Sequence, residues 1–127
     1  MANEIVFQVR ANLTNGNLTD SYASGSLKGD QSTTALLVRN TQSITTSAAQ
    51  LEPGSVVTPG MAVFSNLSET TTDYVEIGNY TGAVFYPLIK VKYGEQALCR
   101  ISILTTELYA KSNNAAGVLL FYIIYND

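Results

Sequence analysis

Apolar and polar side chains alternate with a period of two along most of this chain, and no long stretch carries helical spacing. In the first segment Ile5, Phe7, Val9, Ala11 and Leu13 fall on one face. Glu4, Gln8, Arg10 and Asn12 fall on the other, with Val6 as the exception. This pattern predicts a half-buried strand, closed by an Asn15-Gly16 turn signal that favours positive φ. Residues 17–33 are rich in Ser, Gly, Asp and Asn and read as loop or extended arm. Strands are predicted over 35–39, 43–47, 61–66, 73–77, 83–92, 96–102, 107–111 and 118–125. Pro-Gly pairs at 53–54 and 59–60 predict two type II turns, and Tyr93-Gly94 predicts a third turn.

Two of these segments carry further information. Pro87 has no N–H to donate, so its strand is expected at a sheet edge or with a bulge at that residue. The segment 118–125 is apolar on both faces and is expected to be central and covered on both sides. Eight or nine short strands separated by turns predict one all-β domain over residues 1–127. An antiparallel, jelly-roll-like β-sandwich is the leading architecture and a barrel the alternative.

Composition narrows the function. The chain has 127 residues, enough for one core without disulfide or metal support. Its apolar fraction of 46% is ordinary, but only 13% of residues are charged, about half the usual ~25%. A net charge of −3 and the lack of a basic stripe argue against nucleic acid as a partner. The start lacks a charged region followed by an apolar one, so no signal peptide is expected, and residues 117–125 are too short a run to span a bilayer. Assembly in a cytoplasm, with no membrane partner, is the expectation.

The chemistry available is sparse. The absence of histidine removes Ser-His-Asp and Cys-His catalysis and His-based zinc sites. The single cysteine, Cys99, excludes an intrachain disulfide and reads as a small buried hydrophobe. Neither phosphate-binding glycine motif occurs. Asp73 and Glu76 should point to opposite strand faces, and Glu76 with Glu95 is the remaining carboxylate pair to consider for glycoside hydrolysis. Asp20 and Asp30 bracket a polar segment that matches no calcium-loop spacing. The N-x-[ST] matches at Asn12, Asn17, Asn66 and Asn79 are chance products of an Asn-, Ser- and Thr-rich chain. No enzyme activity, cofactor or metal is expected. Eight tyrosines and no tryptophan suit strand packing and subunit contact; sugar stacking is the sharper alternative.

From residue 57 onward the chain resembles a family of small virion proteins of tailed phages. The matching stretches are Thr58-Pro59-Gly60-Met61-Ala62-Val63-Phe64-Ser65-Asn66-Leu67, then Asp73-Tyr74-Val75-Glu76-Ile77-Gly78, then residues 85–95, then Leu108-Tyr109-Ala110-Lys111-Ser112-Asn113-Asn114-Ala115-Ala116 before the terminal apolar strand. Ala2-Asn3-Glu4-Ile5 and Asp30-Gln31 fit more loosely, and Tyr93 stands where the family has proline. The resemblance implies a capsid decoration (cement) protein on the outer surface of the head. Its partners would be the major capsid protein and further copies of itself, as a homotrimer. A tail, baseplate or fibre-tip module and a carbohydrate-binding module are the alternatives. The expected contact residues are Tyr80, Tyr86 and Tyr93 near turns and the N-terminal segment Ala2, Asn3, Glu4, Ile5 and Val6, as an arm pairing with an adjacent subunit edge.

Overall fold

Every regular element is a strand except a single 3-10 turn at Thr105–Glu107, in a computed structural model that describes residues 5–29 and 36–127. The chain divides into two compact units, Met1–Thr33 and Thr34–Asp127.

The first unit is a long hairpin. Strand β1 (Ile5–Phe7) pairs with β4 (Leu27–Gly29), and β2 (Arg10–Asn15) with β3 (Leu18–Ala23), all antiparallel. Gly16 makes the tip turn with φ of 58°. The register shifts by one residue between the two pairs, and Ser24 bridges that irregularity: its N–H donates to the Val9 carbonyl and its Oγ accepts from the Val9 N–H. Two expectations change here. Residues 18–23 and 27–29 are strands, because the Asn15-Gly16 turn folds them back onto the first segment. The segment expected to be half-buried is exposed along the whole of β2, because within this two-stranded ribbon β3 pairs with its edge and not with its face.

The second unit holds two four-stranded antiparallel sheets. One has the order β10 (Gln96–Arg100), β7 (Pro59–Asn66), β12 (Val118–Asn126), β5 (Leu37–Ile44). The other has the order β6 (Ala49–Gln50), β11 (Leu108–Ser112), β8 (Tyr74–Thr81), β9 (Val84–Lys92). Every connection from β5 to β12 changes sheet except the β8–β9 hairpin. Alternation sends one row of side chains from each sheet inward. Ile44, Ala62, Phe64, Leu120, Tyr122 and Ile124 from the first sheet form one apolar cluster with Val75, Ile77, Val91, Leu108 and Ala110 from the second.

β12 is central, between β7 and β5, as expected, but it is not covered on both sides: its inner row is buried, whereas on the outer row Leu119 is exposed and Phe121 and Tyr125 are part-buried, because the unit has only two sheets. Strand β9 lies at an edge, and its register with β8 shifts between Ile77 and Gly78, placing Pro87 opposite Gly78. Pro87 thus has both features that its missing N–H demands. Turns occur at Gly54 and Gly94 with positive φ. Pro59-Gly60 is not a turn: β7 begins there, and the Gly60 carbonyl accepts the Ile101 N–H. A side chain at Gly60 would press on the Asp127 backbone, so glycine serves a close approach of strands.

Candidate contact surface

Ala2, Asn3 and Glu4 lie outside the described residues. Ile5 and Val6 sit in β1, already paired within the chain to Gly29 and Lys28; Ile5 is buried and Val6 is 61% exposed. Tyr80 and Tyr86 flank the β8–β9 hairpin but point to opposite faces. Tyr80 stands across from Phe85, and Tyr86, its next residue, across from Asn79. Tyr93 occupies the turn at the far end of β9, about 20 Å along the strand from Tyr86. The three tyrosines therefore form no single patch. Tyr86 and Tyr93 are open, at 51% and 44% exposure.

Tyr80 instead belongs to the outer face of the β6-β11-β8-β9 sheet. Its ring stacks on Tyr109 with centroids 4.4 Å apart. Further along the same face, the Lys90 ammonium lies 4.2 Å from the centre of the Tyr74 ring and 3.4 Å from Glu76 Oε1. Stacking occupies one face of each of these two rings. Tyr109 was not singled out from the sequence; the register that sets it beside Gly78 and next to Tyr80 is a long-range property.

The carboxylates are occupied individually. Asp73 is buried, and its Oδ2 accepts from Ser68 Oγ (2.6 Å) and Asn114 Nδ2 (3.3 Å). Asn66 Nδ2 donates to the carbonyls of Val91 (3.1 Å) and Asp73 (3.4 Å). Together these bonds tie the loops at one end of the two sheets. Glu76 faces Lys90, while Glu95 Oε2 accepts the Lys92 N–H within its own turn, so the two glutamates have separate partners. Among the described residues no three His, Cys, Asp or Glu side chains converge.

A cavity of about 220 Å³ opens between the sheets beside β9 and β10, lined chiefly by Ile77, Leu88, Ile89, Cys99, Ile101 and Leu108. Cys99, expected to be buried, is only half-buried because β10 is an edge strand; desolvation still pushes its thiol above the ordinary value of 9.0, which disfavours the thiolate. On the other side of the core Tyr122 is fully buried. Its hydroxyl accepts from Asn40 Nδ2 (3.2 Å) and lies within donating distance of Gln42 Oε1 (3.1 Å) and the Glu52 carbonyl (3.0 Å).

Comparison with known proteins finds no matching family model, no matching curated protein and no matching solved structure. The surface must therefore be read from its own geometry.

The feature least legible in the sequence is β5. Two short strands were expected at 35–39 and 43–47, and one eight-residue strand, Leu37–Ile44, is present. The polar run Arg39-Asn40-Thr41-Gln42 looks like a break. Asn40 and Gln42 point inward and are satisfied by the Tyr122 hydroxyl, which keeps the strand continuous.

Proposed function

We propose that this chain is a non-enzymatic structural protein of a tailed-phage virion, a capsid decoration (cement) protein that binds the outer surface of the major capsid protein lattice and stabilises the head. In this reading the second unit is a jelly-roll-like β-sandwich, the chain acts as a homotrimer, and it reaches the capsid surface from the host cytoplasm. The observation that carries the proposal is the strand order. Eight strands that switch sheets at every step but one, ordered β10-β7-β12-β5 and β6-β11-β8-β9, support a double Greek key, an architecture used by viral capsid proteins among others. Fold alone does not specify function; the family resemblance of residues 57–116 supplies the phage context.

A cement role asks for a rigid core and outward contact groups. Binding across capsomer junctions favours the assembled shell by mass action, and repetition on a lattice multiplies weak contacts. Tyr86 and Tyr93 are the open aromatic candidates, with Tyr80, Val6 and the N-terminal residues Ala2 to Glu4 as further contacts; Ile5 is buried and supports β1 from within. The test is cryo-EM of heads prepared without the protein and then incubated with it. Density at regular positions on the outer head surface, with a higher temperature of DNA release, is the expected outcome. Density confined to tail or baseplate, or no binding, refutes the proposal.

A further inference from the structure

Four edges bound the two sheets of the second unit, and three are blunted. Strand β6 has two residues, β10 has five, and β9 carries Pro87, a register shift, Lys90 and Lys92. Short length, proline, bulges and lysines are the devices that protect sheet edges from added strands. Strand β5 has none of them: it is eight residues long, regular and free of proline, and Arg39 is its only charge. Its register with β12 defines which groups are open. The Asn126 N–H donates to the Leu36 carbonyl, so alternate residues from there, including Val38, Asn40 and Gln42, bond to β12. The backbone N–H and C=O groups of Leu37, Arg39, Thr41 and Ser43 face away from the sheet.

The first unit presents the complementary problem. A two-stranded ribbon is marginal in water by itself, yet every residue of β2 and β3 is exposed. Pairing puts Ala11, Leu13, Asn15, Leu18, Asp20 and Tyr22 on one face and Arg10, Asn12, Thr14, Thr19, Ser21 and Ala23 on the other. The apolar face therefore carries one charge, a carboxylate. The outer row of β5 is Leu37, Arg39, Thr41 and Ser43; beside it β12 turns Leu119, Phe121, Ile123 and Tyr125 the same way, and the Arg39 guanidinium lies 5.8 Å from the Phe121 ring centre. Neither Asp20 nor Arg39 has an ion-pair partner among the described residues.

We infer that β3 of one copy adds in parallel to the β5 edge of a second copy, extending its sheet: the bond from the Ser24 N–H to the Val9 carbonyl sets the phase in which Leu18, Asp20 and Tyr22 bond to β2 and Thr19 and Ser21 are open, so a parallel register sets these two against Arg39 and brings Asp20 beside Arg39 of that copy. Each copy can give one ribbon and receive one. The inference rests on the self-association part of the proposed function and is independent of the capsid.

The purified full chain tests it without any virus particle. Light scattering across a dilution series should show an oligomer that dissociates to single chains. Thr41→Pro removes an outward N–H and leaves the β12 ladder intact, so it should give a folded single chain. Asp20→Arg and Arg39→Asp should each weaken association about tenfold or more, and the double exchange should restore it. Amide exchange at Leu37, Arg39, Thr41 and Ser43 should slow in the concentrated wild-type protein, a readout that does not depend on any variant folding. A wild-type chain that stays single at submillimolar concentration overturns the inference. So does an oligomer in which these amides exchange freely, or one that survives Thr41→Pro, or one that loses association on Thr41→Pro but is indifferent to both charge reversals.

Discussion

Replacing Tyr122 by Phe isolates one hydroxyl at the centre of the core. The ring stays, so packing against Phe64, Leu120 and Ile124 is conserved, and no cavity of consequence opens. What goes is the oxygen shared by Asn40 Nδ2, Gln42 Oε1 and the Glu52 carbonyl. Gln42 Oε1 keeps the Glu52 N–H at 3.2 Å, and the Glu52 carbonyl lies in an exposed loop where water replaces the bond. The unrecovered group is Asn40 Nδ2, half-buried and pointing inward. Leaving it unsatisfied costs about 1–2 kcal/mol, a fall in Tm on the order of 5 °C for a chain of this size. Tyr122→Ala adds the cavity and should cost about 3–5 kcal/mol. The hydroxyl also carries a pH signature. Desolvation raises its pKa above the ordinary value of 10.0, against a smaller lowering by the bond from Asn40. The folded protein therefore holds this proton after the unfolded chain has released it. Stability associated with Tyr122 is complete below pH 10 and declines as pH rises above it. Thermal melts of both proteins at neutral pH and through the range above pH 10 measure the two effects together. A Phe variant with unchanged Tm and an unchanged alkaline decline refutes the reasoning.

Three further outcomes follow from the same structure. Deleting residues 120–127 removes Leu120, Tyr122 and Ile124 from the core and most of the central strand's ladders to β5 and β7; the loss approaches the whole stability of a domain, about 5–15 kcal/mol, and a soluble product with a cooperative melt contradicts the packing described. Gly78→Ala places a methyl group on the Tyr86 carbonyl at the β8–β9 irregularity; we expect a loss of about 2 kcal/mol or more by overpacking, and an unchanged Tm counts against that register. Native Cys99 should alkylate more slowly with iodoacetamide than the denatured chain at the same pH, since partial burial disfavours its thiolate; equal rates would place the thiol at an open surface.

Much of the second unit was legible in the sequence because its signals are local. Period-two alternation marks strands wherever one face is buried. Pro87 identified an edge strand with an irregular register because a missing N–H cannot be hidden anywhere else in a sheet. Residues 118–125, apolar on both faces, predicted the central strand, and Gly54 and Gly94 supplied turns that need positive φ. Other signals misled because their meaning depends on distant residues. Pro59-Gly60 has the composition of a turn but begins β7, since glycine there admits the backbone of Asp127. The polar run in β5 resembles a break but is continuous, since Asn40 and Gln42 find a partner in Tyr122, some eighty residues away. Tyr80, Tyr86 and Tyr93 are close in sequence yet dispersed over two faces and two ends of one hairpin.

Taken alone, the order of side chains along this polypeptide determined that it is all-β, roughly where its strands run, which of them is innermost, and which chemistry it lacks the residues to perform. Only the tertiary structure decided which strands became neighbours, that β5 is an edge strand of its sheet, and that the first unit is a paired ribbon with its apolar side chains on one face. Alternation is a property of adjacent residues, whereas edge exposure and sheet order arise from contacts between strands far apart in the chain, whose partners no local pattern names.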